Sequence, residues 1–153
     1  MKKPFRGLLA TFAVAAVLSV AAAETFVVGG KHEILNYRLQ SSDSVTLPGN
    51  HNTLTTTGQG EAISISGNHN RLLTQESLAT CSVSGNHNAI RVESSTAGVN
   101  VSGNHNVLII DGKVRRVHIT GKYNNCEVVR LPGRDLPEVI DSGKYNRVIE
   151  VGN

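Results

Sequence analysis

Five of the six histidines in this chain fall into one column. His32, His51, His69, His87 and His105 each stand two residues after a glycine, and Tyr123 and Tyr145 take the equivalent place further on. Neutral imidazole is a favoured ligand for Zn²⁺, Cu²⁺ and Ni²⁺, so a regular row of it is the first place to look for chemistry. His51, His69, His87 and His105 are the candidate metal ligands, and no other cofactor is expected. Their neighbours Asn50, Asn68, Asn86 and Asn104 are poor partners for completing a tetrahedral site. A second chemistry is protonic. Imidazolium charges ~4.8 Å apart repel by roughly 1 to 3.5 kcal/mol for dielectrics of 80 to 20, so successive protons would bind with increasing difficulty. A plainer alternative is that Asn-His suits an exposed corner and was copied each time a repeat was duplicated.

The column exists because the chain repeats. Gly-Asn-His-Asn occurs four times, beginning at Gly49, Gly67, Gly85 and Gly103, with a spacing of 18 residues. It continues as Gly121-Lys122-Tyr123-Asn124 and, after a 22-residue step, as Gly143-Lys144-Tyr145-Asn146. A degenerate first copy, Gly30-Lys31-His32-Glu33, precedes Gly49 by 19 residues. Seven units fill 24–153 and leave no room for another domain.

Aligned on the glycine, apolar residues alternate with polar ones. Four places before it stand Phe26, Val45, Ile63, Cys81, Val99, Val117 and Val139; two before it, aliphatic residues and then Asp141. Five places after it stand Leu35, Leu54, Leu72, Ile90, Leu108, Cys126 and Val148. Alternation rich in Val and Ile predicts two strands with a corner between them. The glycines (Gly49, Gly67, Gly85, Gly103, Gly121, Gly143) are expected to supply positive φ at that corner. Asn52, Asn70, Asn88, Asn106, Asn124 and Asn146 fall on the inward parity and are expected to hydrogen-bond from unit to unit as a ladder. The ring column points outward. No unit can bury its apolar face alone, so the fold class is all-β, a β-solenoid (parallel β-helix) of about seven coils. At ~4.8 Å per coil the rod is roughly 30 Å long. Leu131 to Pro137 reads as a loop protruding between the last two coils.

Residues 1–23 read as a cleavable secretory signal: a basic start, a short apolar run, and Ala21-Ala22-Ala23 at the exit. Export to the periplasm or outside the cell, with no membrane span after cleavage, is the expected localisation. The chain has 15 Lys+Arg against 12 Asp+Glu, and Lys2, Lys3 and Arg6 lie in the signal, so the remainder is formally neutral. The basic balance therefore gives no support to nucleic-acid binding. The cluster Lys113, Arg115, Arg116 and Lys122 reads as a solvated loop. Cys81 and Cys126 occupy inward columns two coils apart, too far for a disulfide, and are expected as buried free thiols.

The motif apolar-x-apolar-Ser-Gly-x-x-Asn-x-apolar, as in Val83 to Ile90 and Val101 to Leu108, resembles a family of exported bacterial repeat domains catalogued only as a domain of unknown function. The resemblance implies a β-helix and carries over no reaction and no catalytic residue. A looser likeness to curlin repeats rests on Gly-x-x-Asn-x-apolar, but Gln40, Gln59 and Gln75 form no column here.

No catalytic residues are expected. Asp43, Asp111, Asp135 and Asp141 lie in different columns, whereas glycoside hydrolysis needs two facing carboxylates. There is no Trp to make a sugar platform, no nucleophile motif and no phosphate loop, and no flat Thr-x-Thr array for ice. The sequence thus points to a non-enzymatic structural or binding module of unknown partner, with the His/Tyr ladder as its candidate surface. Transition-metal binding, self-assembly or adhesion, and a polysaccharide-active β-helix enzyme are the alternatives. The last coil ends in Val148-Ile149-Glu150-Val151 with only Gly152-Asn153 beyond, so end-to-end self-association is a further expectation.

Overall fold

The computed structural model describes residues 23–75, 77–93, 95–130, 132–133 and 135–152. The expected signal lies, save for Ala23, outside the described residues. Each coil contributes two strands, and alternate strands build two facing seven-stranded sheets. The first holds β1 (Thr25–Val27), β3 (Ser44–Leu47), β5 (Gly60–Ile65), β7 (Leu78–Val83), β9 (Thr96–Val101), β11 (Val114–Ile119) and β13 (Glu138–Asp141). The second holds β2 (Ile34–Leu39), β4 (Thr53–Gly58), β6 (Arg71–Thr74), β8 (Ala89–Val92), β10 (Val107–Ile110), β12 (Asn125–Arg130) and β14 (Arg147–Gly152). Pairing is parallel throughout, and the described residues contain no helix. The seven-coil solenoid read from the repeat is the fold.

Register follows the repeat. Leu72 pairs Ile90 and Leu108 pairs Cys126, so each inward column is one side chain above another. Alternation leaves Val45, Ile63, Cys81, Val99 and Val117 essentially fully buried, and Leu54, Leu72, Ile90, Leu108 and Cys126 face them from the second sheet. A further inward column, seven places past the glycine, changes character along the axis: Thr56 and Thr74 are followed by Val92, Ile110 and Val128. Tyr37 takes this column in the first coil, where its ring meets Phe26 at 3.9 Å between centroids. Burial there, together with the nearby charges of Glu24 and Asp43, raises its hydroxyl above the usual tyrosine range.

The corner corrects the expected role of glycine. Positive φ is found not at the corner glycines but at the ring column: 60° at His32 and His51, 57° at His69, 55° at His87 and His105, 56° at Tyr123 and 58° at Tyr145. The glycines are required for close approach instead. A Cβ on Gly67, Gly85, Gly103 or Gly121 would overlap the carbonyl oxygen of the corner glycine one coil below. The loop between the last two coils is also less detached than expected. Pro132 and Gly133 are exposed in a turn, but Leu136 packs against the core.

Both cysteines are free and buried, and burial pushes each thiol from 9.0 up to about 12. A thiol held neutral by burial stabilises the fold fully below about pH 9, and that contribution is lost as pH rises through the folded-state value of about 12. Thiol-disulfide reagents should therefore leave Cys81 and Cys126 unmodified in the native protein near pH 8. Stability should fall as pH rises from about 9 to about 12, with both thiols contributing to the slope. A Cys81→Ala, Cys126→Ala variant that melts with the same pH slope would contradict this.

Candidate functional site

The tetrad corner carries two amide ladders, one inside and one at the surface. In the inner one, each Asn accepts through Oδ1 from the backbone N–H of the Asn one coil below: Asn70 N–H to Asn88 (2.8 Å), Asn88 N–H to Asn106 (2.9 Å), Asn124 N–H to Asn146 (2.9 Å). Its Nδ2 donates to the corner glycine carbonyl below, as from Asn88 to Gly67 (3.0 Å) and Asn106 to Gly85 (2.9 Å). The sequence reading of these residues as satisfied structural amides agrees with this geometry. The second ladder was missed. Asn50, Asn68, Asn86 and Asn104 read only as poor metal partners, yet Asn68, Asn86 and Asn104 each donate both backbone N–H and Nδ2 to the Oδ1 of the Asn below, at 2.8–3.1 Å. Its amide dipoles run opposite to those of the inner ladder. The signal was present in the sequence, since this Asn recurs in all four intact tetrads, although Lys takes its place at Lys122 and Lys144 where the inner Asn persists.

Between the two ladders stands the ring column. Each ring residue is pinned by its backbone, His51 N–H donating to Asn68 C=O and His87 N–H to Asn104 C=O, both at 3.0 Å. Left-handed φ throws every ring outward on one line. From His32 to Tyr145 consecutive centroids are 4.8–5.0 Å apart, and from His51 to His105 the planes lie within 1–3° of parallel. The faces are therefore covered by neighbouring rings and only the edges meet solvent. The structure brings together all four candidate ligands, His51, His69, His87 and His105, and extends the row to seven rings. His118 lies apart, half-buried on β11.

This geometry bears on metal binding. Two nitrogens on one tetrahedral Zn²⁺, each at about 2.0–2.1 Å, are about 3.4 Å from one another. Parallel rings 4.8–5.0 Å apart aim their in-plane lone pairs side by side rather than at a common point. Chelation would need adjacent rings to turn toward each other and unstack. Among the described residues, no group of three or more His, Cys, Asp or Glu is placed to hold a metal ion.

The charges around the ridge are one-sided. The exposed columns flanking the rings, one and four places past the glycine, carry Lys31, Arg71, Lys122, Lys144 and Arg147 and no acid. Two acids stand at this corner from inward columns, Glu33 in the first coil and Asp141 in the last, whose Oδ1 accepts from Gly143 N–H and Asn146 Nδ2. Glu93 and Asp111, which both pair with Arg91, lie away from it.

Residues 47–100 match the family model described as a protein of unknown function (DUF3060). The DUF3060 stretch spans the tetrads at Gly49, Gly67 and Gly85, so the expectation of a family without an assigned function holds over the most regular coils. No curated protein and no solved structure matches the chain.

Proposed function

We propose that this chain is an exported, non-enzymatic binding module whose ring ladder holds a linear polyanion, an acidic polysaccharide being the class that fits best. The observation that carries this reading is the retention of a ring where the tetrad has diverged. At Gly121 and Gly143 both Asn-to-Lys and His-to-Tyr changes have occurred, yet the left-handed position still bears an aromatic edge. Copying of an intact tetrad explains four histidines and leaves two tyrosines unexplained. Backbone geometry does not select rings either. Asn and His both tolerate left-handed φ and Asn already flanks this position in the four intact tetrads, whereas the bulky ring of Tyr123 or Tyr145 is an uncommon choice there.

The partner class follows from spacing and charge. A row of imidazole and phenol edges offers one hydrogen-bonding group per 4.8–5.0 Å, amid cations and almost no acids. Phosphates along one DNA strand advance by about 3.4 Å and side chains on one face of an extended peptide by roughly 6.6 Å, so neither keeps step with the ladder. A linear polymer that presents one group about every 5 Å along one face would keep step with the rings.

The test is binding of polygalacturonate, measured against neutral dextran, by the full chain and by its His51→Asn, His69→Asn, His87→Asn, His105→Asn variant. Asn keeps the left-handed backbone, so the variant should melt within a few degrees of the parent. Salt-sensitive binding of the acidic polymer, weakened at least tenfold in the variant, is expected. Equal binding by both proteins, or none by either, rejects the reading. Titration of the same pair with Zn²⁺ separates the metal alternative.

A further inference from the structure

Among the described residues, β1 and β2 form one free edge of the two sheets and β13 and β14 the other. Because every pairing is parallel and follows the same columns, these edges are two halves of one further coil-to-coil contact. We propose that a second copy of this chain docks there head to tail, the first coil of one copy on the last coil of the next. Three carboxylates standing in inward columns set how readily it does so.

The columns continue across such a contact. Phe26 and Leu35 in the first coil would meet Val139 and Val148 in the last. Val139 and Val148 are 37% and 38% exposed, whereas Val117 and Cys126 just below them are at most 1% exposed. The inner amide ladder also points across the junction. Every ladder Asn from Asn52 to Asn124 donates its backbone N–H to the coil above, which sends the N–H of Asn146 toward the free edge. The ring row would run on from Tyr145 to His32.

Three inward columns other than those of Val139 and Val148 carry an acid at one of the two ends. In the first coil Glu33 replaces the ladder Asn, and its carboxylate folds into its own corner beside Gly30, where the amide sits in other coils. Stacked on Asn146 it can accept from the N–H, but as a carboxylate it has no donor for the Gly143 carbonyl. In the last coil Asp141 replaces an aliphatic residue, and its Oδ1 accepts from Gly143 N–H and Asn146 Nδ2 at 2.9 and 2.8 Å. Docking would bring the Glu33 carboxylate to within about one coil step, ~4.8 Å, of this group. Glu150 replaces the Val128 and Ile110 of its column. Inward charge on an outermost strand is a standard obstacle to edge pairing. These three columns are otherwise free of acids, so the obstacle is confined to the two surfaces that would meet.

This contact does not depend on the polyanion reading. Sedimentation of the full chain is compared with a Glu33→Gln, Asp141→Val, Glu150→Val variant and with Glu33→Gln alone, in which one oxygen becomes an amide nitrogen. Both variants should form linear oligomers, the triple variant at concentrations at least tenfold below those needed by the parent. Variants that keep their β-sheet circular dichroism and stay monomeric at the highest concentration overturn the proposal. Register is tested in the same backgrounds. Lys31→Cys with Lys144→Cys should cross-link between copies, because one coil step of ~4.8 Å lies within the Cα separation of a disulfide. Ile34→Cys with Lys144→Cys, three residues out of step, should not. Equal cross-linking by both pairs would contradict this docking.

Discussion

Gly85→Ala is expected to cost about 4 kcal/mol or more, enough to unfold a solenoid of this size or split it at one junction. The added Cβ would occupy the space of the Gly67 carbonyl oxygen. That obstacle is backbone, held in place by its own hydrogen bond from Asn88 Nδ2 at 3.0 Å, so no side chain can swing aside. The coils would have to separate at the corner, breaking the bonds from Asn88 to Gly67 and from Asn70 to Asn88 together. Each repeat is stabilised by its neighbours, so a break at one junction weakens the stack on both sides. Gly98→Ala is the control. It sits mid-strand in β9 with nothing within 4 Å of an added Cβ, and relieves the strand of a flexible residue. Its melting temperature should match or exceed the parent's. Similar losses from both substitutions would show that close approach at the corner is not what the glycines provide.

Asn88→Asp should cost about 3–5 kcal/mol at neutral pH, the range for stranding a buried charge. Asn88 is 1% exposed, and its Nδ2 lies against two oxygens, Gly67 O at 3.0 Å and Asn106 Oδ1 at 3.2 Å. A carboxylate there loses both donors and faces both acceptors. Protonation restores one donor, so the variant's deficit should shrink as pH falls, which chemical denaturation at pH 4 and pH 7 would reveal. Asn86→Asp, in the half-exposed outer ladder, should lose no more than about 1–2 kcal/mol because water can replace its lost partners. Equal penalties at the two positions would mean that burial does not distinguish the ladders.

The sequence made the solenoid legible because two periods coincide in it. An alternation of two marks the strands, and a repeat of 18 marks the coils, so the sequence alone stacks Leu54, Leu72, Ile90 and Leu108 in one column, as they are in the structure. Inward parity also located the inner Asn ladder and the two buried thiols. What could not be read was why each corner residue is what it is. Glycine serves either left-handed φ or close approach, and the letters do not say which. Only the spacing of the coils shows that Gly67 and Gly85 need room for a carbonyl while the histidines take the left-handed turn. The outer ladder was hidden for a related reason. Parity marks Asn68 and Asn86 as outward, and an outward amide carries no obligation to find a partner, so its bonds to the next coil appear only in the structure. For the candidate site, the outward ring row was legible in full. Its stacking at 4.8–5.0 Å with parallel planes, which argues against shared metal ligation, was not.

The most direct test of the ring ladder as the working surface is an NMR titration of the imidazole resonances with short oligogalacturonates. His118 is an internal control, since it lies on β11 away from the row. Shifts at His51, His69, His87 and His105 with His118 unmoved are the expected result. Shifts of the same size at His118, or none at any imidazole, would contradict the account.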